Sequence, residues 1–441
     1  MELNTHLTQL ADSINRENGQ LMADHLSLSE IISLTIEHES TVPSMHSRTT
    51  QQEIAFNNKM SLLKKMDNVI KRTVDLDSFV QNKMHLALDA ETRRSYHEMT
   101  VSRLRAVSSI FDGRYTDAFK HLSDAITAFL KVFEVWSTPV MWKLTYNIRI
   151  MAKLVNAAPS SSTTTTTPGS GGSSERKIDP FEEASRLLNR CFQSSGADRA
   201  TDLELSKKRA AMGIVNQLFQ IYFKLNNLKL CKNLTKTIES KLYPALDTYP
   251  IKQCITYRFF VGRLAAFDGD FVKAREFLLF SFNQCPSDNQ KNKRLILLYL
   301  IPMQLSQCIF PKQSLLIKHG LHQFVGIVKG MKTGDIKQFN ECLSSNQNYF
   351  IQKGIYLIIE KLKNIVYRNL FKKIYLINGN ARVPIGHFVT ALKWAENETV
   401  DVDEAECIIS NLIYNGYIKG YISHKVGLVL SPTNPFPAFW K

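Results

Sequence analysis

Residues 361–431 constrain this chain more than any other stretch. From Lys361 to Ile377, Leu362, Ile365, Val366, Leu370, Phe371 and Ile374 recur at helical spacing while Lys363, Arg368 and Lys372 fall elsewhere, which predicts a helix with one buried face. Asn378-Gly379-Asn380 turns the chain into a short extended piece, Ala381 to Ile385. A second helix follows, with Phe388, Ala391, Leu392 and Ala395 sharing a face. Asp401, with Glu404 three residues on, caps a third helix in the manner of a capping box; its stripe is Ala405, Ile408, Ile409, Leu412 and Ile413, and Gly416 ends it. Tyr417 to Ile422 and Val426 to Leu430, joined by Ser423-His424-Lys425, read as a hairpin.

Helix, short strand, helix, helix, hairpin is the order of a winged-helix module, and it serves both DNA reading and protein packing. In a helix-turn-helix reader the start of the third helix approaches base edges past two rows of phosphates. Here that start carries Asp401, Asp403, Glu404 and Glu406, which repel a duplex at its closest approach. Sequence-specific major-groove reading is therefore disfavoured, and packing against a partner is favoured. The basic residues lie elsewhere in the module. Lys361, Lys363, Arg368, Lys372 and Lys373 share the first helix, and Arg382, Lys393, Lys419 and Lys425 border it, so together they are the expected phosphate-contacting surface without base readout.

Upstream of the module the chain repeats itself. Phe111-Asp112-Gly113-Arg114-Tyr115-Thr116-Asp117-Ala118 is echoed by Phe267-Asp268-Gly269-Asp270-Phe271-Val272-Lys273-Ala274, with weaker copies at Asn226-Asn227-Leu228 and Gly334-Asp335-Ile336. In each, a Gly or Asn takes the turn, the next apolar residue packs between helices, and a residue three later lets the second helix approach the first. The fold class expected is mainly α: a tetratricopeptide-like helical-repeat solenoid capped by a C-terminal winged-helix module. The aromatic residues Tyr257, Phe259, Phe260, Phe267, Phe271 and Phe277 follow the repeat and are assigned to the core. The expected domains are 1–95, loosely packed N-terminal helices such as Leu3 to Ile14 and Met60 to Lys83; 96–353, helical repeats with a disordered Ser/Thr/Gly loop at 157–176; and 354–441, the winged-helix module and C-terminal tail.

Composition narrows the partner. The formal charge is +15 over 441 residues, and from Lys291 onward nineteen Lys and Arg face nine Asp and Glu, so an acidic partner is expected. Apolar residues at 44% suffice for a sizeable core. The longest apolar run, Leu295 to Met303, is about half of what spans a bilayer, and Met1-Glu2-Leu3-Asn4 does not open a secretory signal, so a soluble intracellular protein with no membrane insertion is expected.

No catalytic constellation emerges, and no cofactor or metal is expected. Cys191, Cys231, Cys254, Cys285, Cys308, Cys342 and Cys407 lie far apart without a C-x-x-C pair and read as small core residues in a reducing compartment. His97-Glu98 lacks the second His of a zincin, His387 and His424 read as a helix-start and a wing-turn residue, and Gly169-Ser170-Gly171-Gly172 lacks the Gly-Lys-Ser/Thr of a phosphate loop.

Several runs carry a family resemblance: Tyr367-Arg368-Asn369-Leu370-Phe371-Lys372-Lys373, Val402-Asp403-Glu404-Ala405-Glu406-Cys407-Ile408, Asn411-Leu412-Ile413-Tyr414, Ile418-Lys419-Gly420-Tyr421-Ile422-Ser423-His424 and Asn434-Pro435-Phe436-Pro437. With Asn216 to Lys224 and Gln290 to Arg294 upstream, they resemble the PCI domain-containing protein 2 family, whose PCI module is named for the proteasome lid, the COP9 signalosome and translation initiation factor 3. The resemblance thins before about residue 95. It implies a non-catalytic subunit of the second transcription-and-export complex, expected in the nucleus, including the nuclear pore, and also in the cytoplasm; the basic side of the winged module is then the part expected to contact RNA or single-stranded nucleic acid. It also implies two protein partners, a large scaffold subunit and a small acidic subunit of the DSS type. The alternative is a structural PCI subunit of a signalosome-like or proteasome-lid-like complex. The chain lacks the paired His and acidic spacing of a zinc isopeptidase, so it would not be the cutting subunit there.

Overall fold

In a computed structural model, residues 2–28, 31, 61, 64–158, 179–200, 202, 205–396 and 400–437 are described. The expected Ser/Thr/Gly loop, after its first two residues, lies outside the described residues, as does Pro43 with its polar surroundings. The chain separates into two compact units, Met1–Tyr257 and Arg258–Lys441.

The first unit is helical: α1 (Glu2–Asn15), α2 (Gly19–His25), α3 (Leu76–Lys83), α4 (Ala90–Phe111), α5 (Tyr115–Lys131), α6 (Thr138–Ala157), α7 (Pro180–Gly196), α8 (Ala211–Lys224), α9 (Leu228–Ile238) and the start of α10 (Ile251–Phe267). Neighbours in sequence pack on one another, as in stacked helix pairs. The helix expected from Met60 to Lys83 is interrupted, because the Asp75 carboxylate caps a fresh start by accepting from the Ser78 N–H (3.0 Å).

The second unit continues with α11 (Phe271–Gln284), α12 (Gln290–Ser306), α13 (Gln313–Lys318), α14 (Gln323–Thr333), α15 (Ile336–Ser345), α16 (Gln347–Gln352), α17 (Tyr356–Lys361) and α18 (Lys363–Asn378). The four echoed turns share one geometry. Gly113, Asn226, Gly269 and Gly334 have φ of 70°, 54°, 83° and 67°. The amide that follows each reaches back five residues: Arg114 to Ser109, Asn227 to Tyr222, Asp270 to Ala265 and Asp335 to Gly330, at 2.8–3.0 Å. This Schellman closure satisfies carbonyls the helix end leaves open. The residue three beyond the next helix start, Ala118, Cys231, Ala274 or Phe339, is fully buried, as the repeat logic requires. Of the aromatics assigned to the core, Tyr257, Phe259 and Phe260 are buried and Phe271 and Phe277 half-buried, whereas Phe267, the last residue before its turn, is exposed.

The C-terminal module has the winged-helix order. After α18 come β1 (Arg382–Val383), α19 (Ile385–Glu396), α20 (Val402–Tyr414), β2 (Gly420–Ser423) and β3 (Gly427–Leu430), the strands forming an antiparallel sheet in the order β1-β3-β2. The first helix, α18, begins at Lys363, two residues after the expected Lys361. The Leu362 N–H bonds the Ile359 carbonyl three residues back (2.9 Å), which ends α17 at Lys361 and starts α18 at Lys363. Asp401 caps α20 by accepting from the Glu404 N–H at 2.7 Å.

In the first unit Arg103 is buried with no carboxylate among its described contacts; it donates to the His6 ring (3.3 Å) and the His25 carbonyl. Burial, then the Arg103 charge, then His25, push the His6 imidazole down to about 3. The unfolded chain therefore binds a proton at His6 near pH 6.5 that the folded chain refuses until about pH 3. This contribution to stability is present above pH 6.5 and is lost as pH falls through that window, by at most about 1.4 kcal/mol per pH unit. Urea unfolding at pH 7, 6 and 5 should show the loss, and His6→Gln, which keeps an acceptor for Arg103, should flatten it. Parallel profiles would contradict the assignment.

Candidate nucleic-acid interface on the winged module

The sheet register sorts its side chains into two rows, because directly opposed residues of antiparallel strands point to one face. Val383, Leu428 and Ile422 pair across the sheet, and of these Val383 and Leu428 are fully buried. The outer row is Arg382, Val429 and Tyr421, of which Arg382 and Tyr421 are exposed. Lys419, two residues before Tyr421, falls on the same outer side by strand alternation and is exposed; Lys425 is exposed in the hairpin turn. Arg382 and Lys419 thus share the outer side of the sheet, and Lys425 stands in the turn beyond the far end of β2.

The helical lysines form a second group. Lys361 ends α17 and is exposed, Lys363 opens α18 with its ammonium 5.2 Å from the Tyr367 ring, and Lys372 and Lys373 are exposed on α18. Lys393 is exposed on α19. Apart from Lys363 and Arg368, none of the expected site residues has a carboxylate within ion-pair distance among the described residues.

Arg368 departs from the expected surface. It is buried, and its guanidinium donates to the Asn369 side-chain oxygen (2.8 Å) and to the Phe436 and Pro437 carbonyls (2.9 and 3.0 Å). Burial lowers its pKa. Arg368 fastens the C-terminal segment onto α18, where the Phe436 ring lies 5.8 Å from Tyr375 and the Pro435 carbonyl accepts from the Lys419 N–H (2.8 Å). Periodicity sets Arg368 opposite the middle of the apolar stripe, so its burial follows from the accepting segment 68 residues later and not from local pattern.

The acidic residues are where the sequence placed them. Asp401, Asp403 and Glu404 are exposed at the start of α20 and Glu406 is half-buried. The groove-reading position of the module is therefore acidic, while the exposed lysines lie on α18 and the wing.

Other candidate chemistry resolves into structure. His97 is buried with its ring nitrogen 3.1 Å from the Met84 carbonyl, and Glu98 pairs with Arg94 and Lys131. Cys191, Cys231, Cys254 and Cys285 are buried, Cys308 and Cys342 half-buried, and Cys407 exposed because it lies off the Ala405, Ile409, Leu412 stripe. Among the described residues no group of three or more His, Cys, Asp or Glu is placed to hold a metal, and no helix is long and apolar enough to cross a membrane.

The PCI domain profile matches residues 343–432, from α15 to just past β3. Along the whole chain, the PCI domain-containing protein 2 homolog of Dictyostelium discoideum is 53% identical over 440 residues, covering 99% of this chain and 98% of that protein. The chain belongs to the PCI domain-containing protein 2 family. The Xenopus laevis PCI domain-containing protein 2 is 39% identical over 78% of this chain and 84% of its own length. The Protein CSN12 homolog of Neurospora crassa is 31% identical over 73% and 77%. PCI-domain proteins are structural subunits of multi-subunit assemblies, which agrees with a winged module whose third helix is unsuited to duplex reading.

Proposed function

We propose that this PCI protein is a non-catalytic scaffold and nucleic-acid-binding subunit of a nuclear, pore-associated complex that couples transcription to mRNA export. In this reading the helical repeats hold a large scaffold subunit and a small acidic DSS-type subunit, and the winged module adds its basic side to a platform for RNA or single-stranded nucleic acid. The observation that supports it is the separation of charge within one small module: exposed Lys372, Lys373, Arg382, Lys419 and Lys425 on α18 and the wing, without an ion-pair partner among the described residues, against the exposed acidic start of α20. Such a surface binds phosphates by counterion release without reading bases.

Charge reversal tests it. Lys372→Glu with Lys373→Glu should weaken single-stranded RNA binding and make the plot of log affinity against log salt less steep by about 1.4, two phosphate contacts at roughly 0.7 each. Unchanged affinity and slope would sink the platform. The second reading is a structural PCI subunit of a signalosome-like complex, in which nucleic acid plays no part. What favours it is the relative that carries the CSN12 name.

A further inference from the structure

We propose that Tyr421 is a base-stacking residue, so that the ligand of the wing's outer face is an unpaired nucleic-acid strand in preference to a duplex; this rests on the platform reading above. The register places Tyr421, Val429 and Arg382 in one row across three strands. At roughly 4.8 Å per strand the Arg382 and Tyr421 backbones stand about 10 Å apart on a single face. Tyr421 is 63% exposed, and Val429 beside it is half-buried. An aromatic ring is therefore held in water on a rigid strand, with Lys419 on its own side and Lys425 in the adjoining turn.

Edge strands usually carry charge there to discourage association, so a large exposed ring set among cations calls for a ligand that is both flat and anionic. A nucleobase on its phosphate backbone is such a ligand. Aromatic rings between basic side chains are how single strands are held with little sequence preference, because every base has a π face and every nucleotide a phosphate. A duplex cannot use the ring, since its bases are already stacked on one another. It would also meet the acidic start of α20 at the position where a groove-reading helix enters.

The test uses the full-length protein with three labelled oligonucleotides of about 16 residues, within the site sizes of single-strand binders: single-stranded oligothymidylate, the same strand with tetrahydrofuran abasic residues, and a duplex. Tyr421→Ala should weaken binding to oligothymidylate about tenfold, the low end of what one base–aromatic stack contributes. Tyr421→Phe and Tyr421→Trp should retain it, since the ring and not the hydroxyl is used. The salt slope of Tyr421→Ala should match wild type, because no phosphate contact is removed. Wild type should bind the abasic strand as weakly as Tyr421→Ala binds oligothymidylate, Tyr421→Ala should be indifferent to base removal, and wild type should prefer the single strand over the duplex by more than Tyr421→Ala does. If Tyr421→Ala binds oligothymidylate like wild type while the Lys372/Lys373 reversal weakens it, stacking is wrong and the platform stands. Loss of a protein partner from Tyr421→Ala with strand binding unchanged would likewise overturn it in favour of a protein contact. If wild type binds no strand, both proposals fall.

Discussion

Gly334→Ala should destabilise the second unit by about 3 kcal/mol or more. Gly334 closes α14 at φ 67°, where an L side chain costs about 1–2 kcal/mol. The added Cβ would also stand 2.6 Å from the Leu370 backbone nitrogen and 3.0 Å from the Asn369 carbonyl carbon. Those atoms belong to α18, which is held against α14 by the Asn369 side-chain N–H on the Met331 carbonyl (2.7 Å) and cannot retreat without shifting the winged module's first helix. Overpacking of this kind adds about 1–3 kcal/mol. Gly416 is the control: its φ is 74° but nothing lies within 4 Å of a Cβ there. Gly416→Ala should cost only the conformational part, about 1–2 kcal/mol. Urea midpoints of the two variants measure the difference, and equal midpoints would show that the close approach of α14 and α18 contributes nothing.

Arg368→Ala is the second large effect, about 2–4 kcal/mol, since it removes charge-assisted bonds to two main-chain carbonyls and leaves them without their donor. Arg368→Lys should recover little of this, because a shorter side chain with one nitrogen cannot serve both carbonyls and the Asn369 oxygen, which Nη2 and Nη1 divide between them. The segment 431–437 should become the first site of protease cleavage in both variants. Lys372→Ala, one turn on and exposed, should leave stability within about 0.5 kcal/mol of wild type, so the pair separates the buried clamp from the solvent-facing cation. Equal stability of Arg368→Ala and Lys372→Ala would contradict the clamp.

Much of the fold was legible because its determinants are local. The turns at Gly113, Asn226, Gly269 and Gly334 are written in three or four residues each, and the winged order follows from apolar spacing with a cap at Asp401. What escaped was set by contacts distant in sequence or by backbone bonding that leaves no mark on periodicity. Arg368 reads as a basic surface residue until the segment 68 residues later arrives to accept from it. The start of α18 at Lys363 follows from the i to i−3 hydrogen bond at Leu362, the first residue of the apolar stripe, which leaves no mark on periodicity. For the candidate interface, the residue types were visible but not their grouping. Arg382 and Tyr421 meet only because β3 pairs with both β1 and β2, although the alternation of Lys419 and Tyr421 against Ile418 and Ile422 already placed those two on one side.

The most direct test of the proposed role is affinity purification of the full-length chain from nuclear extract at moderate salt, with nuclease treatment and identification of every protein that remains. The account predicts recovery of one large scaffold subunit with one small acidic subunit, both retained after the nucleic acid is digested. Recovery of several other PCI subunits with a zinc isopeptidase would contradict it and assign the chain to a signalosome-like assembly.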